Sequence, residues 1–487
     1  MVSFVRDVAG LITCIDRNIN MHQFKDLEDT IVAISTATGQ GGIGIVRLSG
    51  NQAVSIADHM FVSRDGCKPS SFNNFTLHYG DVIDHQQNGV VDEALLSVMR
   101  APKSYTRQDV VEISCHGGIV SLRAILMLST KLGARLAEPG EFTKRAFLNG
   151  RIDLAQAEAV LDVIQAKTDM FLKVSTHQLK GDLSLELEAI RQQLMDIYIE
   201  IEAIVNFPED EIENNKEGLA AIEGKIVLAS QRVNALVQTG EQGRILKEGI
   251  KIVLCGKPNV GKSSLLNVLL KTPRAIVSEI SGTTRDTIEE TAQIRGIPFQ
   301  LIDTAGILDP RDLIEKEAVK RSHMHIAGAD LILFVFDASD DLTVQDEHLM
   351  ASVTGGNIVI VLNKSDLQQK IDLECVCKRY KNAKVVEVSA LKRLGIDELE
   401  GAIVDNVWDG KTSDTHGILV SNGRHIQSLT KCLESLKKGK SILTEKVSLE
   451  FVSEEIKLAI NFLDNITGRN IDQDLLDNIF SQFCIGK

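Results

Sequence analysis

The stretch KIVLCGKPNVGKSSLLNVLL at residues 251–270 decides the fold of the middle of the chain. The apolar run Lys251–Cys255 predicts a buried strand, and the leucines from Leu265 onward predict a helix. Between them, Gly256–Ser263 matches the pattern G-x-x-x-x-G-K-[ST], whose glycines let backbone N–H groups face a phosphate. A ligand-free glycine turn is the alternative, and the strand–loop–helix context disfavours it. We therefore predict a phosphate-binding loop in which Lys262 reaches the β and γ oxygens and Ser263 ligates magnesium.

Four further apolar runs surround this loop and predict buried strands. They are Phe299–Ile302, Leu331–Phe336, Ile358–Leu362 and Val385–Val388. Helical stretches separate the runs, and buried strands that alternate with helices are typical of a parallel sheet covered on both faces. The sequence therefore predicts an α/β domain with a mostly parallel sheet.

Three short motifs follow these strands and indicate which nucleotide is bound. Asp303-Thr-Ala-Gly306 offers a carboxylate that would hold magnesium through water and an N–H for the γ-phosphate. In Asn363-Lys-Ser-Asp366, the aspartate can accept hydrogen bonds from two donors of guanine that adenine lacks. Ser389-Ala390 would support the guanine oxygen. Each motif alone is common, but their order at strand ends predicts a GTPase domain.

The residue that would orient the attacking water is not obvious. Ile307 follows Asp303-Thr-Ala-Gly306, where Ras-like enzymes have a glutamine, and an apolar side chain cannot orient water. The downstream acids Asp309, Asp312, Glu315 and Glu317 are therefore all candidates. Neutral oxygens in Asn259 and in Gly282-Thr-Thr-Arg-Asp286 suit a monovalent cation, and Thr284 is the natural magnesium ligand there.

Composition limits the classes of protein to which the chain can belong. It has 487 residues, a formal net charge of −14, and 53 Lys plus Arg against 67 Asp plus Glu. Binding to nucleic acid would thus need a local basic patch or a partner. The eight cysteines include no C-x-x-C pair, which disfavours a disulfide framework or a zinc knuckle, Cys375-Val-Cys377 included. The same scattered cysteines suggest a reducing cytosol, so we expect a cytoplasmic protein. No run of eighteen or more uncharged apolar residues is present, so we expect no membrane span.

The pattern of strand-like and helix-like segments changes several times along the sequence and predicts a multidomain α/β protein. We expect an N-terminal extension at 1–28 with Met21 as an alternative start, a mixed α/β domain at 29–145, a helical domain at 146–242 and 411–487, and an inserted P-loop GTPase domain at 243–410. Gly39-x-Gly41-x-x-Gly44 formally matches a dinucleotide fingerprint, but a second strand-like run follows it. We therefore interpret it as a hairpin turn.

Motifs across the whole chain resemble those of one family. The nucleotide motifs and Gly282–Asp286 resemble the TrmE–Era–Era-like–Septin GTPases, and the flanks resemble the MnmE (TrmE) family of tRNA modification GTPases within them. The flanking motifs are Gly41-Gly-Ile-Gly-Ile-Val-Arg47, Cys115-His-Gly-Gly118, Pro139-Gly-Glu-Phe142, Arg145-Ala-Phe-Leu-Asn149, Asp153-Leu-Ala-Gln-Ala-Glu158 and Phe483-Cys-Ile-Gly-Lys487. The resemblance covers residues 30–487.

The resemblance implies an activity and its partners. A homodimer, in a heterotetramer with an MnmG-type flavoprotein, would add a carboxymethylaminomethyl group at C5 of the wobble uridine of certain tRNAs. Potassium would stimulate GTP hydrolysis, and 5-formyl-tetrahydrofolate or a related one-carbon folate would be a cofactor. A regulatory Era-like GTPase of ribosome assembly is the main alternative, and a one-carbon transferase with a vestigial GTPase is another.

The resemblance also implies residue roles. Glu315 would orient water, with Lys262 and Cys484 as the other catalytic candidates. Magnesium would be held by Ser263 and Thr284; potassium by Asn259, Ser278, Ile280 and Thr283; the folate by Arg47, Glu112, Arg151 and Lys487. GTP would contact Asn259, Val260, Gly261, Lys262, Ser263, Ser264, Ser278, Glu279, Ile280, Ser281, Gly282, Thr283, Thr284, Asp303, Thr304, Ala305, Gly306, Asn363, Lys364, Asp366, Ser389 and Ala390.

Plainer interpretations of several of these residues remain open. Without the resemblance, Arg47 and Glu112 are exposed strand charges. Cys484 is either a small buried hydrophobe or a thiol at the uridine chemistry. His116 is a structural histidine rather than a ligand.

Overall fold

A computed structural model describes residues 28–37, 39–86, 89–206, 216–270, 289–303, 328–353, 357–381, 383–408, 417–445 and 447–487. Contacts divide the chain into two compact units. The first comprises the chain up to Leu161 together with Gln178–Leu219 and Lys438–Lys487. The second comprises Asp162–His177 and Ala220–Lys437.

The first unit contains a seven-stranded sheet in the order β3-β4-β5-β6-β2-β1-β7. Its strands are β1 (Ile31–Ile34), β2 (Gly41–Ser49), β3 (Phe61–Ser63), β4 (Leu77–Asp84), β5 (Gly89–Met99), β6 (Val110–Gly117) and β7 (Arg135–Leu136). Neighbouring strands are antiparallel except for β1 and β7. Because β1 and β2 pair as a hairpin and Gly44 lies inside β2, the hairpin interpretation of the glycine motif is confirmed.

One face of this sheet is covered and the other carries exposed apolar side chains. Helices α1 (Ala53–Met60) and α2 (Ile119–Lys131) pack on the sheet and bury a core that includes Val46, Leu96 and Ile125. The alternation of buried and exposed residues along the strands is the pattern expected of a sheet with one packed face. Exposed apolar side chains on β2, β4 and β5 are Ile43, Leu77, Tyr79, Val90 and Leu95.

The helices that follow are α3 (Glu141–Leu148), α4 (Leu154–Gln165), α5 (Asp169–Lys180), α6 (Asp182–Asn206), α7 (Lys216–Gln238) and α8 (Gly240–Glu248). Near the C-terminus lie α13 (Gly423–Thr444), α14 (Leu449–Thr467) and α15 (Gln473–Ser481). Gly181, with φ of 99°, separates α5 from α6. Within the first unit, the Arg191 Nε–Asp464 Oδ1 contact of 2.7 Å joins α6 to α14.

The second unit contains a six-stranded sheet in the order β13-β12-β11-β8-β10-β9. Its strands are β8 (Ile250–Cys255), β9 (Glu289–Ile294), β10 (Ile297–Asp303), β11 (Leu331–Asp337), β12 (Ile358–Asn363) and β13 (Lys384–Glu387), with helices α9 (Lys262–Leu270), α10 (Val344–Ser352), α11 (Leu373–Arg379) and α12 (Ile396–Val407) between or after them. All neighbouring strands are parallel except β9 and β10. The predicted mostly parallel sheet is confirmed, and the edge strand β9 was not predicted.

Candidate nucleotide-binding site

The predicted nucleotide motifs meet at one edge of the parallel sheet. Strands β8, β10, β11, β12 and β13 run in the same direction, so their carboxyl ends share an edge. The residues at or just after these ends are Gly256, Asp303, Asp337, Asn363 and Ser389. Ligands of open α/β sheets bind at this edge.

The loop between β8 and α9 has the backbone that its glycines and asparagine predict. Asn259 has φ of 63° and Gly261 has φ of 95°, which is the left-handed region that favours glycine and tolerates asparagine. A Cβ atom on Gly261 would lie 2.2 Å from Asn363 Nδ2, so the close approach excludes a side chain there. The loop can therefore curve tightly in front of the N-terminus of α9.

Lys262 is held inside this loop. Its side chain is buried, and its Nζ donates to the carbonyl oxygens of Gly256 and Lys257 at 2.8 Å each. A buried ammonium group requires such oxygen partners, because desolvation of an unpaired charge is costly. The positive charge thus lies where a phosphate cradled by the loop would meet it.

Asn363 connects three of the predicted motifs. Its Nδ2 donates to the carbonyl of Val260 at 2.8 Å, and its Oδ1 accepts the backbone N–H of Ala390 at 3.0 Å. Only 2% of Asn363 is exposed, so both ends of the amide are satisfied inside the protein. The loop that would hold phosphate and the two segments that would hold the base are therefore fixed to one another by a single side chain.

Asp366 is presented as an ionised acceptor. The Ser389 hydroxyl donates to Asp366 Oδ1 at 2.7 Å, and Lys392 Nζ lies 3.5 Å from Oδ2. The Ser389 hydrogen bond is the main cause that lowers the pKa of Asp366 below its ordinary value, and the Lys392 charge adds to it. A carboxylate with acceptor capacity left on both oxygens can bind the paired donors of guanine.

Asp337 was not predicted, yet it belongs to the same edge. Lys364 Nζ lies 2.5 Å from Asp337 Oδ2. The backbone of Lys364 has a φ of 63°. Partial burial would raise the pKa of Asp337, but the Lys364 and Ser339 hydrogen bonds outweigh burial and lower it. Asp337 thereby positions the lysine of Asn363-Lys-Ser-Asp366. Its place directly after the buried run Leu331–Phe336 is the sequence signal that would have identified it.

The proposed metal ligands lie only partly within the described residues. Ser263 is the second residue of α9, and Asp303 ends β10 beside Leu254 of the strand that enters the loop. A hydroxyl and a carboxylate are hard oxygen donors, which suit Mg²⁺. The predicted residues Ser278, Glu279, Ile280, Ser281, Gly282, Thr283, Thr284, Thr304, Ala305, Gly306 and Glu315 lie outside the described residues. Within the described ranges, no cluster of three His, Cys, Asp or Glu could hold a metal ion.

The first unit brings together the predicted folate residues. Arg47 and Glu112 lie opposite each other on β2 and β6, and Arg47 Nη2 is 2.7 Å from Glu112 Oε1. Both side chains are partly buried, and the Arg47 guanidinium carbon lies 5.7 Å from the ring centres of Tyr105 and Phe142. The plain interpretation as two exposed strand charges is therefore wrong.

Tyr105 also contacts Arg151. The Arg151 guanidinium carbon lies 4.7 Å from the Tyr105 ring centre, and the Tyr105 hydroxyl is 2.9 Å from Thr143 Oγ1. This tyrosine was missed because it lies in a loop without a motif, and only the fold brings its ring close to both arginines.

The C-terminal segment packs against the same part of the first unit. Ser35 Oγ donates to the Gly486 carbonyl at 3.2 Å, and the Phe142 N–H donates to the Lys487 carbonyl at 3.2 Å. A Cβ on Gly486 would lie 2.3 Å from the Ile34 carbonyl oxygen. The backbone of Lys487 thus lies beside Phe142, which contacts Arg47.

Two other predicted residues have clear surroundings. Cys484 is exposed, so its interpretation as a small buried hydrophobe is wrong. His116 is bound by Asp92, whose Oδ1 lies 2.7 Å from its Nδ1, and this hydrogen bond raises the pKa of His116. That ion pair agrees with a structural histidine.

Among the described helices, none is long and apolar enough to cross a membrane.

Comparisons with known proteins agree with this geometry. A model of the GTP-binding protein TrmE N-terminus matches residues 30–151, and a model of the MnmE helical domain matches residues 154–484. The tRNA modification GTPase MnmE of Alkaliphilus metalliredigens is 45% identical over 95% of this chain and 100% of its own length. Those of Clostridioides difficile and Geobacillus thermodenitrificans are 43% and 45% identical, over 95% and 94% of this chain and 100% and 99% of their own lengths. The chain therefore belongs to the MnmE (TrmE) family.

Proposed function

We propose that the chain is a tRNA modification GTPase that acts with an MnmG-type flavoprotein to add a carboxymethylaminomethyl group at C5 of the wobble uridine. Family membership supports the activity of a tRNA modification GTPase. The observation that carries the GTPase assignment is the Asn363 amide, which joins the Val260 carbonyl to the Ala390 N–H. That contact assembles the phosphate side and the base side of one nucleotide site.

Hydrolysis would proceed by in-line attack of water on the γ-phosphate. Lys262 offsets the charge that develops between the β and γ phosphates, and Asp366 selects guanine by accepting from its two donors. Glu315 would orient the water. The Glu315→Ala variant should bind GTP and lose most of its turnover, and retained turnover would transfer that role to Asp309 or Asp312.

Two cations would assist this reaction. Mg²⁺ bound to Ser263 and Thr284 would supply charge neutralisation at the phosphates. Asn259, Ser278, Ile280 and Thr283 would bind potassium through neutral oxygens. Replacement of K⁺ by Na⁺ should slow GTP hydrolysis, and equal rates in the two salts would remove potassium from the proposal.

The first unit would bind a one-carbon folate such as 5-formyl-tetrahydrofolate. Glu112 and Arg47 offer a carboxylate and a guanidinium beside the rings of Tyr105 and Phe142, which suits a flat heterocycle with several donors and acceptors. Arg151 and Lys487 would meet the rest of the molecule. Cys484, which is exposed, is available to the uridine chemistry, and its replacement by Ser tests that role in the tRNA assay below.

A homodimer and a cytoplasmic location complete the proposal. The exposed apolar side chains Ile43, Leu77, Tyr79, Val90 and Leu95 of β2, β4 and β5 would be buried by a second copy. Analytical ultracentrifugation of wild type and of Leu77→Lys tests this. The variant should be monomeric, because a buried lysine charge would destabilise such an interface.

Mass analysis of tRNA nucleosides tests the central activity. Cells that lack the protein should lose the carboxymethylaminomethyl group at the wobble position, and the wild-type gene should restore it. Genes with Lys262→Ala or Glu112→Ala should fail, whereas Glu93→Ala, which removes an exposed strand carboxylate, should succeed. Unchanged wobble uridines in the deletion strain would instead favour the Era-like role in ribosome assembly.

A further inference from the structure

A cleft of about 540 Å³ opens beside Arg151 in the first unit. It lies among the end of α3 at Gly150, the beginning of α6 at Gly181, and the end of α14 at Gly468. Its volume is that of a site for a small molecule or for part of one. None of the nucleotide motifs contributes to its lining.

The charges that line the cleft do not balance. Three cations face it, namely Arg151, Lys180 and Arg469. Arg469 is neutralised by Glu188, with Nη2 and Oε2 2.6 Å apart. The acid Asp153 accepts the Gln156 N–H at 2.8 Å at the start of α4. Within the described ranges, neither Arg151 nor Lys180 forms an ion pair, so the cleft keeps an excess of positive charge.

Polar groups at the start of α6 add to this preference for an anion. Ser184 Oγ lines the cleft, is buried, and has no hydrogen-bond partner among the described residues. A buried hydroxyl without a partner is costly, which points to a ligand or solvent partner at this place. The first turn of the 25-residue helix α6 also directs its backbone N–H groups toward Gly181.

Arg151 connects the cleft to the proposed folate residues. Arg151 lines the cleft and lies 4.7 Å from the Tyr105 ring centre, and Arg47 lies 5.7 Å from the same centre. A folate has a neutral heterocycle at one end and a glutamate at the other, and cellular folates carry further γ-linked glutamates, each with one more carboxylate. The neutral end would match the Arg47–Glu112 pair, and the charged end would then extend past Arg151.

We propose that this cleft binds the poly-γ-glutamate tail of the folate, with Lys180 and Arg151 pairing with its carboxylates and Ser184 donating a hydrogen bond. The inference rests on the proposed folate function. It assigns Lys180 as a residue that selects long-tailed folates over the monoglutamate. An RNA backbone is a competing anion, but a bounded cleft that contains Asp153 and Glu188 suits a short flexible tail better than a duplex surface.

The test compares two ligands on the full-length protein by calorimetry. They are 5-formyl-tetrahydrofolate with one glutamate and the same folate with five. Wild type should bind the pentaglutamate about tenfold more tightly, because several charge-assisted contacts add to the affinity. In Lys180→Gln this ratio should fall to about threefold or less, because one of these charge-assisted contacts is lost. The matched control Lys173→Gln removes a different exposed lysine of α5 and should keep the full ratio.

A second measurement needs no variant. Raising the salt concentration from 0.05 to 0.5 M (about a threefold shorter Debye length) should reduce the tail preference of wild type more than its monoglutamate affinity. If the protein binds the monoglutamate and the pentaglutamate with equal affinity, the tail site is overturned while the folate function stands. The same holds if Lys180→Gln keeps the full higher affinity for the pentaglutamate that wild type shows. If neither folate binds, the proposed folate function fails, and the tail site fails with it. If Lys180→Gln weakens tRNA binding and leaves both folate affinities unchanged, the cleft is an RNA contact instead.

Discussion

The nucleotide site and the proposed folate site are built in opposite ways. The nucleotide site collects residues that directly follow parallel strands, so that each contribution is a short run such as Gly256–Ser263. The folate site collects single side chains from β2, a loop, β6, α3 and the chain's C-terminal segment. Backbone groups bind phosphate and need glycines in a fixed pattern, whereas rings and charges need only proximity. A site made by backbone therefore leaves a motif in the sequence, and a site made by scattered side chains does not.

The largest expected effect is that of replacing Lys262. This change should affect the nucleotide site and leave the proposed folate site intact. Lys262→Ala should reduce GTP turnover about a thousandfold, because it removes the cation that offsets transition-state charge. Folate binding should stay unchanged, since the folate residues belong to the first unit. Stopped-flow phosphate release and folate calorimetry measure the two. Lys251→Ala, which removes an exposed lysine of β8, is the control and should retain turnover.

Asp366 tests whether the base side of the nucleotide site works by hydrogen-bond pairing. Asp366→Asn should weaken GTP binding about a hundredfold and improve binding of xanthosine triphosphate, because an amide can donate to the xanthine oxygen. Fluorescent-nucleotide competition measures both affinities. The exposed Asp341 offers the control Asp341→Asn. Selectivity for GTP that survives in Asp366→Asn would contradict this role.

Glu141 tests what holds the first unit together. It is buried and pairs with Arg135 and Arg145, at 2.7 and 2.8 Å, and Arg145 is 1% exposed. Glu141→Gln should destabilise the first unit by about 3 kcal/mol, because it leaves a buried arginine poorly compensated. Scanning calorimetry should show its transition at lower temperature, with Glu138→Gln as the exposed control.

The stability difference between wild type and Glu141→Gln depends on pH, and the lowered pKa of Glu141 gives its direction. Burial would raise the pKa of Glu141, but hydrogen bonds from Arg135, the Glu138 N–H and Arg145 outweigh it and lower the pKa below 4.5. The stabilisation is therefore complete above pH 4.5 and disappears as the pH falls through the lowered pKa. The difference between wild type and Glu141→Gln should close in acid. A difference that widens there would reverse this assignment.

The smallest expected effect concerns Asp337, the residue that the motifs missed. Asp337→Ala should weaken GTP binding about tenfold and leave turnover at saturating GTP nearly unchanged, because Lys364 loses its positioning partner. The control Asp405→Ala breaks an exposed pair with Lys384 and should have no effect. A loss of turnover at saturation would show that Asp337 acts on the chemistry.

The sequence predicted the elements whose chemistry is local. The buried runs Leu331–Phe336 and Ile358–Leu362 became β11 and β12, and the glycine motif at 39–44 became a hairpin, because burial and turn chemistry act over a few residues. The edge strand β9 was missed because Glu289–Ile294 lacks a continuous apolar run and forms by pairing with β10. Tyr105 was missed for a related reason, since its role depends on arginines that are distant in sequence.

The hydrogen bond from Ser35 to the Gly486 carbonyl spans 451 positions of the chain. All seven strands of the N-terminal sheet lie between Ile31 and Leu136, so they are made long before Gly486. Until the ribosome has translated the C-terminal segment, Ser35 has no such partner, and this contact is added to the sheet last. A premature stop codon or a fusion that pulls this segment away would leave the folate side incomplete even though every residue of the sheet had been made.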